Sequence, residues 1–375
     1  MSMRVTVPAW YQDFHCIADA CTDSCCIGWE IDIDEETMAR YRRMGGAFGE
    51  RLRAHIDETG DVPHFILNGE RCPFLNERGL CDLILEAGEE NLCQICDRHP
   101  RFYEWFGDET EIGLGMCCEE ACRLLLTTDK PFEVISYETD EEADDRDFDP
   151  EVLEALRAVR ERMFALLSGE HLSLGERLAL VLNLAEDTQD ALDSMDTEAL
   201  PALADSYGEA DIDQTVLLQL KMIAQEAGRP EAGALTEIVE LFASFEPIHP
   251  DWPEKLRMLA DSTERMTLQG VESERKEALA HVAGYFLYRY LLKAVFDGDV
   301  LSPVRMAIVS VLLIAGLEAQ EQAKTGGWTL KDRIDLLKMY SQELEYDPEN
   351  IETLYEAGDE LDGMRFESLL GLLLE

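Results

Sequence analysis

From residue 151 onward, apolar side chains return every three to four positions. Val152, Leu153, Leu156, Val159, Met163, Leu166 and Leu167 form one such stripe, and Leu178, Val181, Leu182 and Leu184 another. A stripe of that period is the buried face of an amphipathic helix. The same pattern predicts helices over 214–225, 234–245, 254–265, 272–296, 303–324, 330–343, 351–355 and 361–374. No unit recurs at a fixed spacing, which argues against a solenoid. Upstream the pattern is different. Residues 29–34 alternate apolar and acidic side chains, as an extended segment does, and 65–68 form a second short extended stretch. Between them Asp34 has the place of an N-cap for an amphipathic helix over 37–53. Turn signals are dense: Asn68-Gly69, Arg78-Gly79 and His99-Pro100. An acidic block over 138–149 reads as a solvated linker, closed by Pro150 at the start of the next helix. The expected fold is mainly α: a small cysteine-rich metal-binding region with short extended segments (1–130), an acidic linker (131–150) and an all-helical region (151–375).

Charge narrows the partners. The chain carries 79 acidic and 32 basic residues, a formal net charge of −47. Such a surface repels phosphate, so nucleic acid and anionic membranes are poor partners, whereas a Lys-rich protein segment is attracted. Acidity of this degree also keeps a protein dispersed in a saline cytoplasm. The N-terminus has no apolar h-region, and the longest apolar run, 306–317, is shorter than the roughly 20 residues a bilayer needs. The expectation is a cytoplasmic protein.

All 11 cysteines lie between Cys16 and Cys122. In a reducing cytoplasm, and with an odd count, disulfides explain them badly. They come in groups: Cys16, Cys21, Cys25 and Cys26; Cys72 before Pro73, then Cys81; Cys93 and Cys96; Cys117, Cys118 and Cys122. Thiolates are soft ligands suited to zinc or iron–sulfur centres, and a cluster takes about four of them. A loop-rich region with a modest core is also the kind that a metal holds together. Adjacent Cys25 and Cys26 do not readily point the same way, so the two can serve different ends. His15 and His99 flank cysteines, but His ligands suit Rieske-type or zinc sites better than ordinary clusters. The C-x3-C-x2-C spacing of radical enzymes is absent, as is a glycine-rich dinucleotide fingerprint.

At these residues the chain resembles the FliB family of flagellin lysine-N-methylases. The resemblance rests on Phe14-x-Cys16, Cys21, Cys25-Cys26, Gly28-Trp29 and Ile33-Asp34. It continues through Cys72-Pro73-Phe74-Leu75-Asn76, Gly79-Leu80-Cys81, Cys96-x3-Pro100-Arg101 and Cys118 with Glu120 and Arg123. The same stretch is similar to small cysteine-rich zinc- or iron-chelating proteins. It covers about 1–126; beyond it only length, helical character and the Tyr-rich helix over 278–296 match. Glu119 stands where that family has Pro, His99 where it has an aromatic residue, and Cys93, Cys117 and Cys122 are additional.

The resemblance implies a 4Fe–4S protein that uses S-adenosylmethionine to methylate Lys ε-amino groups of flagellin or another Lys-bearing protein. The metal ligands are then expected among Cys16, Cys21, Cys25, Cys26, Cys72, Cys81, Cys96 and Cys118, with zinc as the alternative metal. The transfer needs a neutral amine and an in-line sulfonium methyl. Tyr285 and Tyr288, with His281, share one helix face and could meet cationic groups, or simply pack. Two other functions fit the same residues: a non-catalytic metal-binding module whose helices bind a protein, and a redox or electron-transfer protein.

Overall fold

The computed structural model describes residues 3–375 except Asp23, Trp29, Asp61, residues 140–147 and Glu272. It is mainly α. Six strands are present among the described residues: β1 (Met3–Pro8), β2 (Ile56–Asp57), β3 (His64–Phe65), β4 (Arg101–Phe106), β5 (Glu109–Leu114) and β6 (Val134–Thr139). The helices of the first third are α1 (Glu35–Arg43), α2 (Gly46–Ala54), α3 (Asp82–Ala87), α4 (Gln94–Arg98) and α5 (Glu119–Thr127). The remainder is α6 (Pro150–Leu167), α7 (Leu174–Asp193), α8 (Leu200–Ser206), α9 (Ala210–Ala227), α10 (Ala232–Ser244) and α11 (Trp252–Ala260). Then come α12 (Ser273–Tyr290), α13 (Ala294–Asp297), α14 (Leu301–Thr325), α15 (Leu330–Glu345), α16 (Pro348–Glu360) and α17 (Phe366–Leu373).

The helical stripes fold as expected, with sharper ends. Asp149 caps α6 and Pro150 is its first residue; a Ser173–Glu176 capping box opens α7. The single helix expected over 37–53 is broken. Asp34 caps α1 by accepting from the Thr37 amide at 2.9 Å, and the chain then turns at Met44–Gly45 into α2. A side chain at Gly49 would sit 2.2 Å from the Met44 carbonyl oxygen, so the turn needs Gly there. The helix expected over 272–296 ends at Tyr290, and its first residue, Glu272, lies outside the described residues. So does most of the acidic block over 138–149; at its edge, Val134–Thr139 of the expected linker is a strand.

The four-stranded sheet is the feature the sequence pattern did not announce. Its order is β4-β5-β1-β6, with β1 parallel to β5 and the other pairs antiparallel. It packs into the helices through Phe106 and Leu114, and a buried ion pair fastens it there. Arg160 of α6 donates to both oxygens of Glu111 on β5, at 2.6 and 2.5 Å, and to the Tyr288 carbonyl at 3.2 Å.

Two main hydrophobic cores result among the described residues, beside a small cluster of Val5, Val7 and Ile112 on the sheet. The large one runs from Trp10 through the sheet and the helices to Leu373. At its centre lies α14, whose residues from Pro303 to Leu317 are all buried and which packs on α7, α11, α12, α15 and α16. By length and composition α14 could cross a membrane, but 89% of its most apolar window is enclosed by this protein. The small core holds Ile31, Ile33, Met38, Tyr41, Leu52, Ile56, Phe65, Phe74, Leu75 and Leu83 with Cys72 and Cys93.

Candidate metal centre

The expected ligands converge. Cys16, Cys21, Cys25, Cys26, Cys72, Cys81, Cys96 and Cys118 all line one cavity of about 770 Å³, together with Cys117. The cavity lies where the two cores meet: its far wall carries Ile248, His249, Lys338, Gln342 and Tyr346, from α15 and the segments beside it and before α11.

Local structure explains the convergence. Asp34 caps two helices at once, because its second oxygen accepts from the Gln94 amide at 2.8 Å and so fixes α4, which carries Cys96. Tyr41 adds a hydrogen bond to the Asn91 carbonyl at 2.8 Å. The loop from Cys72 to Cys81 folds around Asn76, whose side-chain oxygen accepts from the amides of Arg78 and Leu80 at 2.9 and 3.1 Å. Gly79, at φ +74°, supplies the left-handed turn. The Cys72 amide donates to the Cys26 carbonyl at 2.9 Å and joins the first two cysteine groups. On the other side, Cys118 is the N-cap residue of α5, with Glu119 and Glu120 in its first turn. Glu119 accepts from the Thr22 amide at 2.8 Å, the Thr22 hydroxyl at 2.7 Å and the Cys21 thiol at 3.5 Å. The residue that departs from the family pattern therefore latches the first cysteine loop to α5. Arg101 completes the frame: it donates to the Tyr11 hydroxyl at 2.9 Å and lies 5.5 Å from the Phe14 ring centre.

The three additional cysteines differ. Cys117 faces the cavity, and burial pushes its thiol up to about 12. Cys93 is buried behind Cys96 and hydrogen-bonded to it. Cys122 is buried and donates to the Met116 carbonyl at 2.8 Å. His15 and His99 also line the cavity, and burial, then Arg101, pulls His99 down to about 4.

Burial and mutual proximity keep most of these thiols protonated. Burial raises Cys72 to about 12, and it also raises Cys81 and Cys118. Cys25 is pushed up by its hydrogen bond to Cys26, then by burial and by neighbouring sulfurs. Cys26 is drawn down to about 7 by the same bond. So many sulfurs in one place cannot all ionise unaided; a metal that binds thiolates removes that penalty. Among the described residues, no three His, Cys, Asp or Glu side chains meet tightly enough to grip a single ion. The sulfurs are spread along the cavity wall.

The tyrosine face is part of the packing. Tyr288 donates to the carbonyls of Thr6 and Ile112 at 2.9 and 3.1 Å, which ties α12 to the sheet. Tyr285 and Tyr290 donate to Glu345 at 3.0 and 2.8 Å, and Arg289 pairs with Glu345 at 2.8 Å. His281 contacts the Lys130 carbonyl at 2.9 Å. The three tyrosines and His281 are buried, and none lines the cavity. Sequence reasoning missed the helical wall, since single His, Lys, Gln and Tyr residues on separate segments carry no spacing signal.

Residues 160–373 match the family model described as the FliB lysine N-methylase C-terminal domain. Over 134 residues, 33% of this chain, the sequence is 29% identical to the flagellar biosynthetic protein FliU of Salmonella muenchen, covering 78% of that protein. It is equally similar to the lysine-N-methylases of Salmonella choleraesuis and Salmonella typhimurium, where the match spans only 33% of each. No solved structure matches.

Proposed function

The chain belongs to the FliB lysine N-methylase family, and from that premise we propose that it methylates Lys ε-amino groups of flagellin or a similar Lys-bearing protein, with S-adenosylmethionine as donor and a 4Fe–4S centre in the cysteine cavity. The observation that carries the reading is the cavity itself: thiols from four separate stretches of chain face helical side chains from the part that matches the family model.

The donor set suits the group. Nine thiols line the cavity, beside His15, His99, His249 and several carboxylates, and thiolates are the ligands that both zinc and iron–sulfur centres take. When bound, the cluster would supply structural support, or a Lewis-acid or redox partner for the donor. The chain's own residues supply the rest. Asp34, Asn76, Glu119 and Arg101 hold the cysteine loops in place. Across the cavity, the His249 ring contacts Gln342 at 2.7 Å, and Glu343 accepts from the His249 main-chain amide at 2.7 Å, so Gln342 meets the ring while Glu343 holds the backbone. We assign to His249, which lines the cavity, the removal of the Lys ammonium proton that must precede attack on a sulfonium methyl. The apolar parts of the wall favour the neutral amine. The acidic surface draws a Lys-bearing partner in.

Anaerobically prepared protein is expected to bind S-adenosylmethionine and to methylate Lys residues of a flagellin, read by peptide mass spectrometry. Protein that carries its metal yet neither binds the donor nor transfers a methyl group overturns the reading.

A further inference from the structure

The cavity presents more sulfur than one centre uses. A four-iron cluster takes four protein thiolates, yet nine cysteines face this cavity.

The fold sorts these cysteines onto two walls. Cys26, Cys72, Cys81 and Cys96 pack with the small core. Their loops are knitted together: the Leu75 amide donates to the Cys72 carbonyl at 3.1 Å, and Leu75 pairs with Cys81 in a β-bridge. Cys118 packs instead with the large core. Cys21 turns the same way, toward Glu119, the residue after Cys118. Cys16 comes two residues after Phe14, which also packs on the large core. Cys25 stands at the seam: its nearest sulfur partner is the Cys26 thiol, to which it is hydrogen-bonded, and Cys16 and Cys118 follow among the sulfurs around it. The neighbours of Cys96, by contrast, are Cys93, Cys26 and Cys72.

Given that the cavity is a metal site, the reading on which this inference rests, we propose that it holds two iron–sulfur centres, one on each wall: Cys26, Cys72, Cys81 and Cys96 ligate the first, and Cys16, Cys21, Cys25 and Cys118 the second. The volume, about 770 Å³, is that of a pocket for a sizeable organic ligand and leaves room for both. The second set makes poor sense as free thiols. Cys16 and Cys25 are exposed, and exposed thiols in a shared cavity oxidise or cross-link. Contact between Cys25 and Cys26 brings the two centres close enough to interact.

The test is metal and acid-labile sulfide analysis of the full chain, purified anaerobically, with electron paramagnetic resonance of the reduced protein. The expected result is about eight irons and eight sulfides per chain, with a spectrum broadened by spin coupling. Cys72→Ser with Cys81→Ser, and separately Cys16→Ser with Cys118→Ser, should each halve the iron and leave one uncoupled signal. Circular dichroism shows whether the helices persist in each. Four irons per chain, unaffected by Cys16→Ser with Cys118→Ser, overturn the second centre and leave the first. Four irons plus one zinc that this pair removes overturn the iron–sulfur assignment of that wall. Wild-type protein without iron or sulfide overturns the underlying reading of the cavity itself.

Discussion

The small core gathers twelve buried side chains between Ile31 and Cys93, whereas the large core extends from Trp10 to Leu373 and draws on the sheet and most of the helices. The large core has what an ordinary domain has: long amphipathic helices, a wholly buried central helix and ion pairs whose charges meet inside. The small core has short helices, two-residue strands and a set of polar pins, with sulfur where more hydrocarbon would otherwise be. Ordering a residue costs about 1–2 kcal/mol of backbone entropy, and twelve side chains do little against that over a stretch this long. The large core is held by burial; on the proposed reading, the small core is held by the metal it binds.

The largest expected effect is on the small core. Removing the metal should release it while the helices stay folded, since a bound metal can contribute on the order of 10 kcal/mol to such a unit. Limited proteolysis after chelation should cut first between Cys16 and Cys96; equal resistance with and without metal breaks the contrast. Next comes the buried ion pair of the large core. Glu111→Ala leaves the Arg160 guanidinium enclosed without its partner, at a cost of about 3–5 kcal/mol. The melting temperature of the helices should fall while metal content is retained, and a variant that instead sheds its metal would show that the two cores are one unit.

A smaller effect, confined to the small core, is expected from Asp34. Asp34→Ala removes the caps of α1 and α4 together and should cost about 1–2 kcal/mol. Its pH counterpart has a definite sign. Burial pulls the Asp34 carboxyl up, but the Gln94 and Thr37 amides outweigh this and hold it below the usual carboxylate value. The folded pKa is thus depressed, so the stabilisation is present above the unfolded value of about 3.9 and is lost as pH falls through the folded one. Protection factors of the α1 and α4 amides, taken relative to the intrinsic exchange rate at each pH, should therefore fall in acid, and do so less in Asp34→Ala. The smallest effect is Glu119→Ala, which should speed exchange at Thr22 and leave the melting temperature unchanged.

How much of the molecule was legible in the sequence depended on the kind of signal. The stripes in α6, α7, α14 and α15 are local and periodic, and they fold as the period says. The cysteine set was legible because sulfur is rare and was confined to one stretch; its meeting in a single cavity agrees with that clue. The sheet was not legible. β1 pairs in parallel with β5, about a hundred residues away, and β6 comes after a long excursion through α5. Such pairing is fixed by contacts that no local pattern records. Tyr285 and Tyr288 were read correctly as neighbours on one face, but only the fold shows that Glu345 and the Ile112 carbonyl take up their hydroxyls. The break at Met44–Gly45 turns on one close approach, at Gly49.

The enclosed helix α14 has a consequence for synthesis. It leaves the ribosome after α7, α11 and α12, its main packing partners, and before α15 and α16, which close over it. For that interval a segment greasy enough to pass for a membrane span stands half covered. Its safety then rests on the earlier helices having already formed a groove to receive it. A nascent chain halted just past Thr325 is expected to resist membrane insertion when α7 and α12 are intact. With Leu180 and Phe286 changed to Asp, it should be captured by microsomes.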